Sequence, residues 1–562
     1  MSSEVLCSAY VDSTPIAIKL NFKTNNYKIR VGDEIGVNTQ IRKIEDNNPS
    51  ASGFDYATYM RRQGILYTCA VDTSEYRILG HHNTLQYWAD YAKCRLIHLI
   101  RLTGVENQTA HLAIVFCTGD RRYMPDSDKL AFSQAGVAHI LAVSGLHIGI
   151  VICLLSILLY PLRRPRYKIL NSVILLTGIW AYVFFTGMPL SAIRAAIMAS
   201  FIIASSMFLK KHSSVNALAA SALFILIFSP YAIFDAGFQL SYLSVIGILL
   251  WSDIITDKLK SSNKIIKYIV SSIAVTIAAQ LTTAPAIIYY FQSFPTGFFL
   301  ANLLILPILP VFFFATILGI IFATMGLKIG IITMALDMLY KLLKDIADIS
   351  SQFLNVIDSI WIDSTSAIIA TCLVFSVGIV LRFHTQRQVK YIPFILSICL
   401  IFCLTIKHNL VKRNGEFLEE QYDSTNLVVY RGNRLYLFNS LNDTTLLSEF
   451  SARNERFISE HDIKSIVYNC NKSTDNIYFS YPFAFVGGKS YVFLTGNYRR
   501  KHKTGNPIKV DYAILTKRFY NQLPDIPKYI IADTIILPRE IYESRRDTLI
   551  SYAIRHKIPV KY

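Results

Sequence analysis

The sequence lacks the patterns that mark several common enzyme classes. No GxxxxGK[ST] loop occurs in the 562 residues, so the chain itself shows no ATP-driven motor. Its nine cysteines form no CxxC pair and no Cys/His cluster, so neither a metal site nor another cofactor is predicted. Charged residues are scarce, at 17% of the chain. The function therefore has to be inferred from a few polar residues in a largely apolar sequence.

Apolar segments dominate the middle of the chain, and hydrophobic residues make up 52% of the whole. From residue 137 to 407 they recur in runs of roughly 18 or more, long enough to cross a hydrocarbon core of about 30 Å. We predict a polytopic helical membrane protein with about ten spans. In the segment 327–364 charges at helical spacing also fit an amphipathic helix at the membrane surface. For that segment both interpretations stay open.

Charge predicts the orientation, because short cytoplasmic loops carry the Lys/Arg excess and the chain has a net charge of +18. The basic loops are 163–168, 209–212, 257–267 and 382–390. Loops without Lys or Arg alternate with them, at 186–191, 229–235 and 292–297. Both polar flanks are then expected outside the cell membrane. Met1 is not followed by a cleavable signal peptide, so we expect that an upstream start or a first anchoring segment is absent from this chain.

Short alternating strands separated by Gly and Asn/Asp turns characterise the N-terminal flank, for example 4–11, 16–24 and 65–72. They fit a small barrel such as an OB-fold, which often binds single-stranded nucleic acid. The segment 83–104 fits a basic amphipathic helix at the membrane surface, or an ordinary linker helix. One disulfide is possible among Cys7, Cys69 and Cys94, but its pairing does not follow from the sequence.

Polar and ionisable residues recur within four of the apolar segments. They lie in GVAHILAVSGLHIGI (136–150), TGMPLSAIRAAIM (186–198), SPYAIFDAGFQLSYLSVIGIL (229–249) and AAQLTTAPAIIYYFQSFPTGFFLANLLILPILP (278–310). Such residues are costly in lipid and tend to line cavities or pair with one another. A single site fits helix packing, whereas four sites indicate a shared polar pathway.

Several of these motifs together resemble the ComEC family, the inner-membrane DNA channel of natural transformation. The similarity is carried by AGVAHILAVSGLHIGIV, TGDRRYMP, FFTGMPLSAIRAAIM and the two long segments that begin at Asn216 and Ala278, in family order. The stretch 52–65, SGFDYATYMRRQGI, also resembles a segment of the family's exterior OB-like domain. The resemblance is specific over residues 50–400 and loose at both ends.

The resemblance implies that one strand of incoming DNA crosses the cytoplasmic membrane through this protein. Expected partners are single-stranded DNA, the lipid bilayer, an exterior DNA receptor, and a cytosolic ATPase or single-strand-binding proteins, with a homo-oligomer as an option. The predicted domains are an exterior OB-like domain (1–82), a helix and linker (83–130), a transmembrane channel domain (131–410) and an exterior C-terminal domain (411–562). The alternative function is transport of a smaller polar or anionic solute. A channel rather than an enzyme is expected.

The SGLH sequence at 144–147 is our first candidate for a conduit wall. Ser144 and Gly145 are expected to break the helix so that backbone amides, His139 and His147 face a polar interior. The alternative is that Ser144 and Gly145 allow close helix packing while His147 makes one interhelical hydrogen bond.

Five further residues are candidates for the same conduit. Arg194 either snorkels to the interface or presents a fixed cation to phosphates. Asp235 and Gln239 are spaced to share a helix face, where they would pair with Arg194 or form a gate, although Asp235 also fits an N-cap. Gln280 lies near Pro285 in a helix that is predicted to be kinked, and Asn302 completes the set.

The C-terminal flank differs from what the resemblance implies. Many members of the family carry a metallo-β-lactamase-like domain, whose metal needs clustered His and Asp ligands. Here His461, His502 and His556 are far apart, and Lys517 and Arg518 stand where a histidine pair is expected. We predict an α+β domain resembling a degenerate metallo-β-lactamase fold, without nuclease activity. Its candidate DNA contact is the basic loop residues Tyr498, Arg499, Arg500, Lys501 and Lys503, or that loop is simply solvated.

Overall fold

The computed structural model divides the chain into two compact units. The first comprises described residues of 1–47 and 56–404, and the second comprises those from 405 onward. The residues described are 3–11, 14–22, 29–39, 41–44, 56–72, 75–208, 213–258, 263–327, 329–353, 356–357, 360, 362–383, 391–410, 414–421, 424–439, 447–448, 450–451, 454–469, 477–496, 507–519, 530–537, 551, 554–555 and 559–561.

The first unit begins with six strands and one short helix. They are β1 (Ser3–Val11), β2 (Thr14–Phe22), β3 (Asp33–Val37), β4 (Arg42–Lys43), α1 (Tyr56–Arg62), β5 (Ile65–Val71) and β6 (Tyr76–His81). One sheet has the order β1-β2-β5-β4, and β3 pairs with β6. The predicted strands are confirmed, while the OB-like barrel stays a prediction. Cys7, Cys69 and Cys94 are free thiols in this structure.

Thirteen helices follow in the first part of the chain that the structure describes. They are α2 (Leu85–Leu102), α3 (Asn107–Thr118), α4 (Asp126–Gln134), α5 (Gly145–Leu158), α6 (Lys168–Phe185), α7 (Leu190–Phe208), α8 (Ser214–Phe228), α9 (Ala236–Lys258), α10 (Lys264–Phe291), α11 (Phe298–Thr324), α12 (Gly330–Phe353), α13 (Ser364–Phe383) and α14 (Ile392–Leu410). Six are long and apolar enough to span a membrane, namely α6, α7, α9, α10, α11 and α13. Shorter apolar helices are α5, α8 and α14. The figure of about ten spans stays a prediction.

Helix α12 is the charged segment whose position the sequence left open. It packs along α11. The short strands β7 (Phe294–Pro295) and β8 (Val356–Ile357), which precede α11 and follow α12, pair antiparallel. The two helices therefore run in opposite directions and form a hairpin closed by strand pairing. One face of α12 is buried, through Leu336, Tyr340, Leu343 and Ala347.

Helix α3 lies in the centre of the largest apolar core. Its residues 109–118 are buried, except for the half-buried His111. They pack with side chains of α2, α5, α11 and α12. The predicted helix at 83–104 is confirmed as α2, which starts after the N-cap Thr84 and contacts α6 and α11. It is therefore packed against the helical core over part of its length, whereas its position at a membrane surface stays a prediction.

Helices α9 and α10 pack closely because a glycine on one faces a threonine on the other. The Thr282 hydroxyl donates to the carbonyl of Leu243 at 3.0 Å. A Cβ added to Gly247 would overlap Thr282 Oγ1 and lie 2.8 Å from the Ala278 carbonyl. Helix α10 continues through Pro285. The absence of a Cβ at Gly247 thus permits the interhelical hydrogen bond.

The described residues of the second unit include two sheets and a short helix. Its strands are β9 (Asn414–Gln421), β10 (Ser424–Arg431), β11 (Arg434–Asn439), β12 (Ser465–Tyr468), β13 (Ile477–Ser480), β14 (Phe483–Val486), β15 (Lys489–Gly496), β16 (Ile508–Phe519), β17 (Ile530–Ile536) and β18 (Val560–Lys561). The sheet orders are β12-β11-β10-β9 and β13-β14-β15-β16-β17-β18. Phe438 of the first sheet stacks on Phe479 of the second, with ring centroids 5.1 Å apart.

Helix α15 (Glu455–Glu460) packs on the other face of the first sheet through Phe457. The region therefore contains sheets and a helix, which agrees with the predicted α+β class. Its likeness to a metallo-β-lactamase fold stays a prediction.

We expect Gly247→Ala to destabilise the protein by about 1–3 kcal/mol, because the new methyl group separates α9 from α10. The matched control is Gly149→Ala in α5, where an added Cβ meets nothing within 4 Å. The control should be neutral or stabilising, since alanine favours helix. The measurement is the thermal midpoint of the detergent-solubilised full-length chain. Equal midpoints for the two variants would contradict the close packing at Gly247.

Candidate functional site

The SGLH turn, residues 144–147, begins α5 and is held by contacts between Ser144 and His147. The Ser144 backbone N–H donates to His147 Nδ1 at 3.2 Å, and Ser144 Oγ lies 3.2 Å from the same nitrogen. The first N–H groups of a helix have no partner within the helix, so such local bonds matter most in apolar surroundings. The predicted alternative, one interhelical hydrogen bond from His147, stays a prediction. The Nδ1 nitrogen is bonded within the turn.

His147 is fully buried, and its ring lies 4.3 Å from that of Phe116 on α3. Its Nε2 has no hydrogen-bond partner among the described residues. In this structure His147 does not reach solvent, so exposure to a conduit requires a movement of the turn. Its role as a lining residue stays a prediction.

The other predicted residues of this segment are more open. His139, on the 3-10 turn Ala138–Leu141, is exposed, and Ser144 is half-buried. Gly145 is exposed, and an added Cβ would meet nothing within 4 Å. In the described part of this structure no neighbouring helix packs closely against Gly145. Gly149, one turn further along α5, has the same open surroundings.

A second group of predicted residues comes together where α7 and α9 begin. Arg194 Nη1 donates to Asp235 Oδ2 at 3.1 Å. The same carboxylate oxygen accepts from the Phe238 backbone N–H at 3.0 Å, as an N-cap does. The predicted pairing with Arg194 and the predicted N-cap are therefore present together, while a gate stays a prediction. A Cβ added to Gly237 would lie 2.5 Å from Arg194 Nη2, so a larger residue here would displace the guanidinium.

Gln239 lies in the same region, but its hydrogen bonds are not the predicted ones to Arg194. Its amide nitrogen donates to the Ile233 carbonyl at 2.8 Å, and its amide oxygen accepts from the Tyr290 hydroxyl at 3.1 Å. It therefore ties α9 to α10 and does not bond to Arg194. Tyr290 was not predicted, although its place in the fourth polar segment was a usable signal.

Gln280 and Asn302 are not part of either group. Gln280 is half-buried on α10. Asn302 is buried on α11, and its Oδ1 has no partner among the described residues. No hydrogen bond in the described part of the chain joins them to Arg194 or to the SGLH turn. Their predicted lining roles stay predictions.

The sequence analysis missed the polar residues around Asp120, which follows α3. Its carboxylate, 5% exposed, binds Lys93 Nζ at 3.0 Å and Arg122 Nη2 at 2.6 Å. Burial alone would raise the pKa of Asp120, but hydrogen bonds from Arg122 and Lys93 hold it below its ordinary value. The motif TGDRRYMP contains Asp120 and Arg122 and was the available signal. Their meeting with Lys93 depends on tertiary packing.

The remaining candidates lie in the C-terminal region. Tyr498, Arg499, Arg500, Lys501 and Lys503 fall outside the described residues, so their proposed DNA contact stays a prediction. Within the described ranges, no group of three or more His, Cys, Asp or Glu side chains is placed to share a metal ion.

The long apolar helices and the sheet-containing C-terminal region define a multi-pass α-helical membrane protein. The family model described as Competence protein matches residues 116–387, and the model of the ComEC C-terminal domain matches residues 419–562. The chain belongs to the ComEC family of competence proteins. Together with the apolar helices, this makes it a multi-pass protein of the inner membrane.

Curated relatives are similar to parts of the chain. ComE operon protein 3 of Bacillus subtilis is 31% identical over 266 residues, which are 47% of this chain and 32% of that protein. Recombination protein 2 of Haemophilus influenzae is 24% identical over 226 residues, 37% of this chain and 28% of that protein. The matched stretches span about a third of these relatives' length. No solved structure matches the chain.

We expect Asp120→Asn to destabilise the protein at neutral pH by about 3 kcal/mol, since Lys93 loses its buried counter-charge. The pKa of Asp120 is lowered in the folded state, so its stabilisation is complete above the unfolded value of about 3.9 and is lost as pH falls through the folded value. The difference in unfolding free energy between wild type and variant should therefore be constant near neutrality and shrink in acid. Equilibrium unfolding in mixed micelles at several pH values measures it.

The control for this prediction is Asp126→Asn. Asp126 is 87% exposed and pairs with Lys129 at the surface, so its loss should have the smaller effect. Equal effects of the two variants would contradict the buried role of Asp120.

Proposed function

We propose that this protein carries one strand of DNA across the inner membrane during natural transformation. Membership of the ComEC family of competence proteins supports this proposal. A DNA strand carries a negative charge at each nucleotide, so its path requires cationic donors rather than an apolar wall. The net charge of +18 provides general attraction, part of which every polytopic membrane protein has through its cytoplasmic loops.

The observation that carries the proposal is the Arg194–Asp235 pair. Arg194 is 16% exposed while the carboxylate that it binds is 45% exposed. Arg194 Nε has no partner in the described part of the structure. A phosphate presents oxygens to a guanidinium much as a carboxylate does, so it is able to replace Asp235 there. Arg194 thus has the chemistry of an anion-binding site that the Asp235 carboxylate occupies until a phosphate replaces it.

The rest of the proposal concerns architecture. About ten crossings follow if α5, α8, α12 and α14 traverse the bilayer with the six long helices. Both polar flanks then face the exterior, where an OB-like N-terminal domain and a degenerate metallo-β-lactamase-like C-terminal domain contact DNA. The protein acts as a channel and not as an enzyme. An exterior DNA receptor and a cytosolic ATPase or single-strand-binding proteins are its partners.

Import of labelled DNA tests the function. End-labelled duplex DNA is given to cells with and without this chain, and label protected from added nuclease in the cytoplasm is compared with label held outside the inner membrane. Loss of the chain should leave the exterior label unchanged and abolish the cytoplasmic label. Persistence of the cytoplasmic label would overturn the proposal and favour transport of a smaller anionic solute.

Arg194→Ala should reduce import about tenfold or more, because one charge-assisted hydrogen bond to phosphate is lost. The matched control is Arg382→Ala. Arg382 Nη2 pairs with Asp253 at 3.0 Å, so it also joins two helices through an Arg–Asp contact. The control should import at near wild-type levels when the amounts of membrane protein are equal.

A charge swap separates a structural role of the pair from a phosphate role. Combining Arg194→Asp with Asp235→Arg keeps an ion pair but moves the cation. If the pair only joins α7 to α9, the swap restores import that each single change has reduced. If Arg194 contacts the strand, import stays low although the protein is stable.

A further inference from the structure

Four cationic side chains gather around Asp120 and Tyr123, and we call them the basic cluster: Lys93, Arg101, Arg121 and Arg122. Lys93 and Arg122 both bind the Asp120 carboxylate. The Arg101 guanidinium lies 5.4 Å from the centre of the Tyr123 ring. Two of these cations come from α2 and two follow α3. The cluster therefore forms only when the two helices pack together.

The basic cluster has more positive than negative charge. Among the described residues, the ion pairs of the cluster involve one carboxylate, Asp120, against four cations. The acidic residues that follow are paired with other lysines, Asp126 with Lys129 and Asp128 with Lys344. Arg122 keeps 79% of its side chain exposed although it binds Asp120, and Arg101 and Arg121 are exposed as well. A surface with surplus, accessible guanidinium groups is suited to anions, and above all to phosphates.

The arginines of the cluster are held in place before any ligand arrives. Arg122 binds Asp120 through Nε at 2.8 Å and through Nη2 at 2.6 Å. Arg121 donates to the Leu141 carbonyl from Nε at 3.3 Å and to the Ala138 carbonyl from Nη2 at 3.2 Å. Side chains that are already ordered lose little conformational entropy on binding. Asp120 acts here as a positioning residue for Arg122.

The basic cluster lies next to the SGLH turn. The carbonyls that Arg121 binds belong to the 3-10 turn that carries His139 and precedes Ser144. Gly119, beside Asp120, packs on this segment, since an added Cβ would lie 3.2 Å from Val143 Cγ2. The open glycine face of α5, at Gly145 and Gly149, follows directly. A polyanion bound at the cluster is thus adjacent to the start of α5.

We propose that Arg121 and Arg122 bind backbone phosphates of the DNA strand and guide it to the SGLH turn, with Arg101 and Tyr123 completing the surface. This inference rests on the proposed function for the identity of the polyanion. The contacts are to phosphates, so binding is independent of base sequence and falls steeply with salt. The Arg194–Asp235 pair is a separate anion site on other helices.

The double variant Arg121→Gln/Arg122→Gln tests the proposal. The control double variant is Arg164→Gln/Arg166→Gln, which removes the same charge from two exposed arginines beyond the other end of α5. Full-length protein in nanodiscs of zwitterionic lipid is titrated with fluorescein-labelled oligothymidylate at several salt concentrations. Each phosphate contact contributes about 0.7 to the magnitude of the slope of log K against log salt. The slope of the test variant should therefore be smaller than that of the wild type by about 1.4, and the slope of the control should be unchanged.

Three outcomes would overturn the inference. An unchanged slope in the test variant shows that these arginines do not contact the strand, and an equal loss in both variants shows an effect of net charge alone. An unchanged slope, together with weaker retention of anionic lipid in a second set of nanodiscs that contain it, assigns the arginines to the bilayer. The single variant Arg122→Gln should reduce the magnitude of the slope of log K against log salt by about 0.7. This variant keeps the test decisive if the double variant does not fold.

The import assay distinguishes failure of this inference from failure of the proposed function. If import requires the chain but the test variant imports normally, the proposed role of the basic cluster is wrong and the proposed function stands. If import does not need the chain, the proposed function is wrong, and the oligonucleotide titration still decides whether the cluster binds phosphates. In cells the test variant should import about tenfold less DNA than the control.

Discussion

The burial of α3 among its neighbouring helices determines where the polar groups of the first unit lie. Almost every side chain from Thr109 to Thr118 is excluded from solvent, so the helix has one way to pack. Phe116 is thereby held against His147, and Asp120, just past the end of the helix, meets Lys93 of α2. The SGLH turn and the basic cluster both depend on this apolar packing.

Many polar groups in the first unit have hydrogen-bond partners within the protein, whereas a few buried ones are left without a partner. Ser144 and His147 pair within one helical turn, and Asp235 serves as N-cap and counter-ion together. By contrast His147 Nε2, Arg194 Nε and Asn302 Oδ1 have no partner among the described residues. Buried polar groups without partners are rare in folded proteins and require an explanation. The proposed passage of a DNA strand would supply one, because the strand or its water would become the missing partner.

Much of the secondary structure follows from local pattern. Alternating residues predict the N-terminal strands, and the basic amphipathic segment at 83–104 becomes α2. Asp235 and Arg194 could be suspected of pairing because charges are costly in an apolar segment and need a partner. Gln239 could not be assigned to Tyr290, since the two are 51 positions apart and no local rule connects them. His147 looked available to a conduit in sequence, but packing against Phe116 decides its burial.

The sequence by itself determined that this is a multi-pass membrane protein of the ComEC family, because hydrophobic length and motif order are local properties. Tertiary structure alone decided how α12 runs, since only the pairing of β7 with β8 shows that it returns along α11. It also decided that Arg121 and Arg122 share a surface with Lys93 and Arg101. A charge pattern along the chain specifies which cations exist, whereas the packing of α2 against α3 specifies which of them act together.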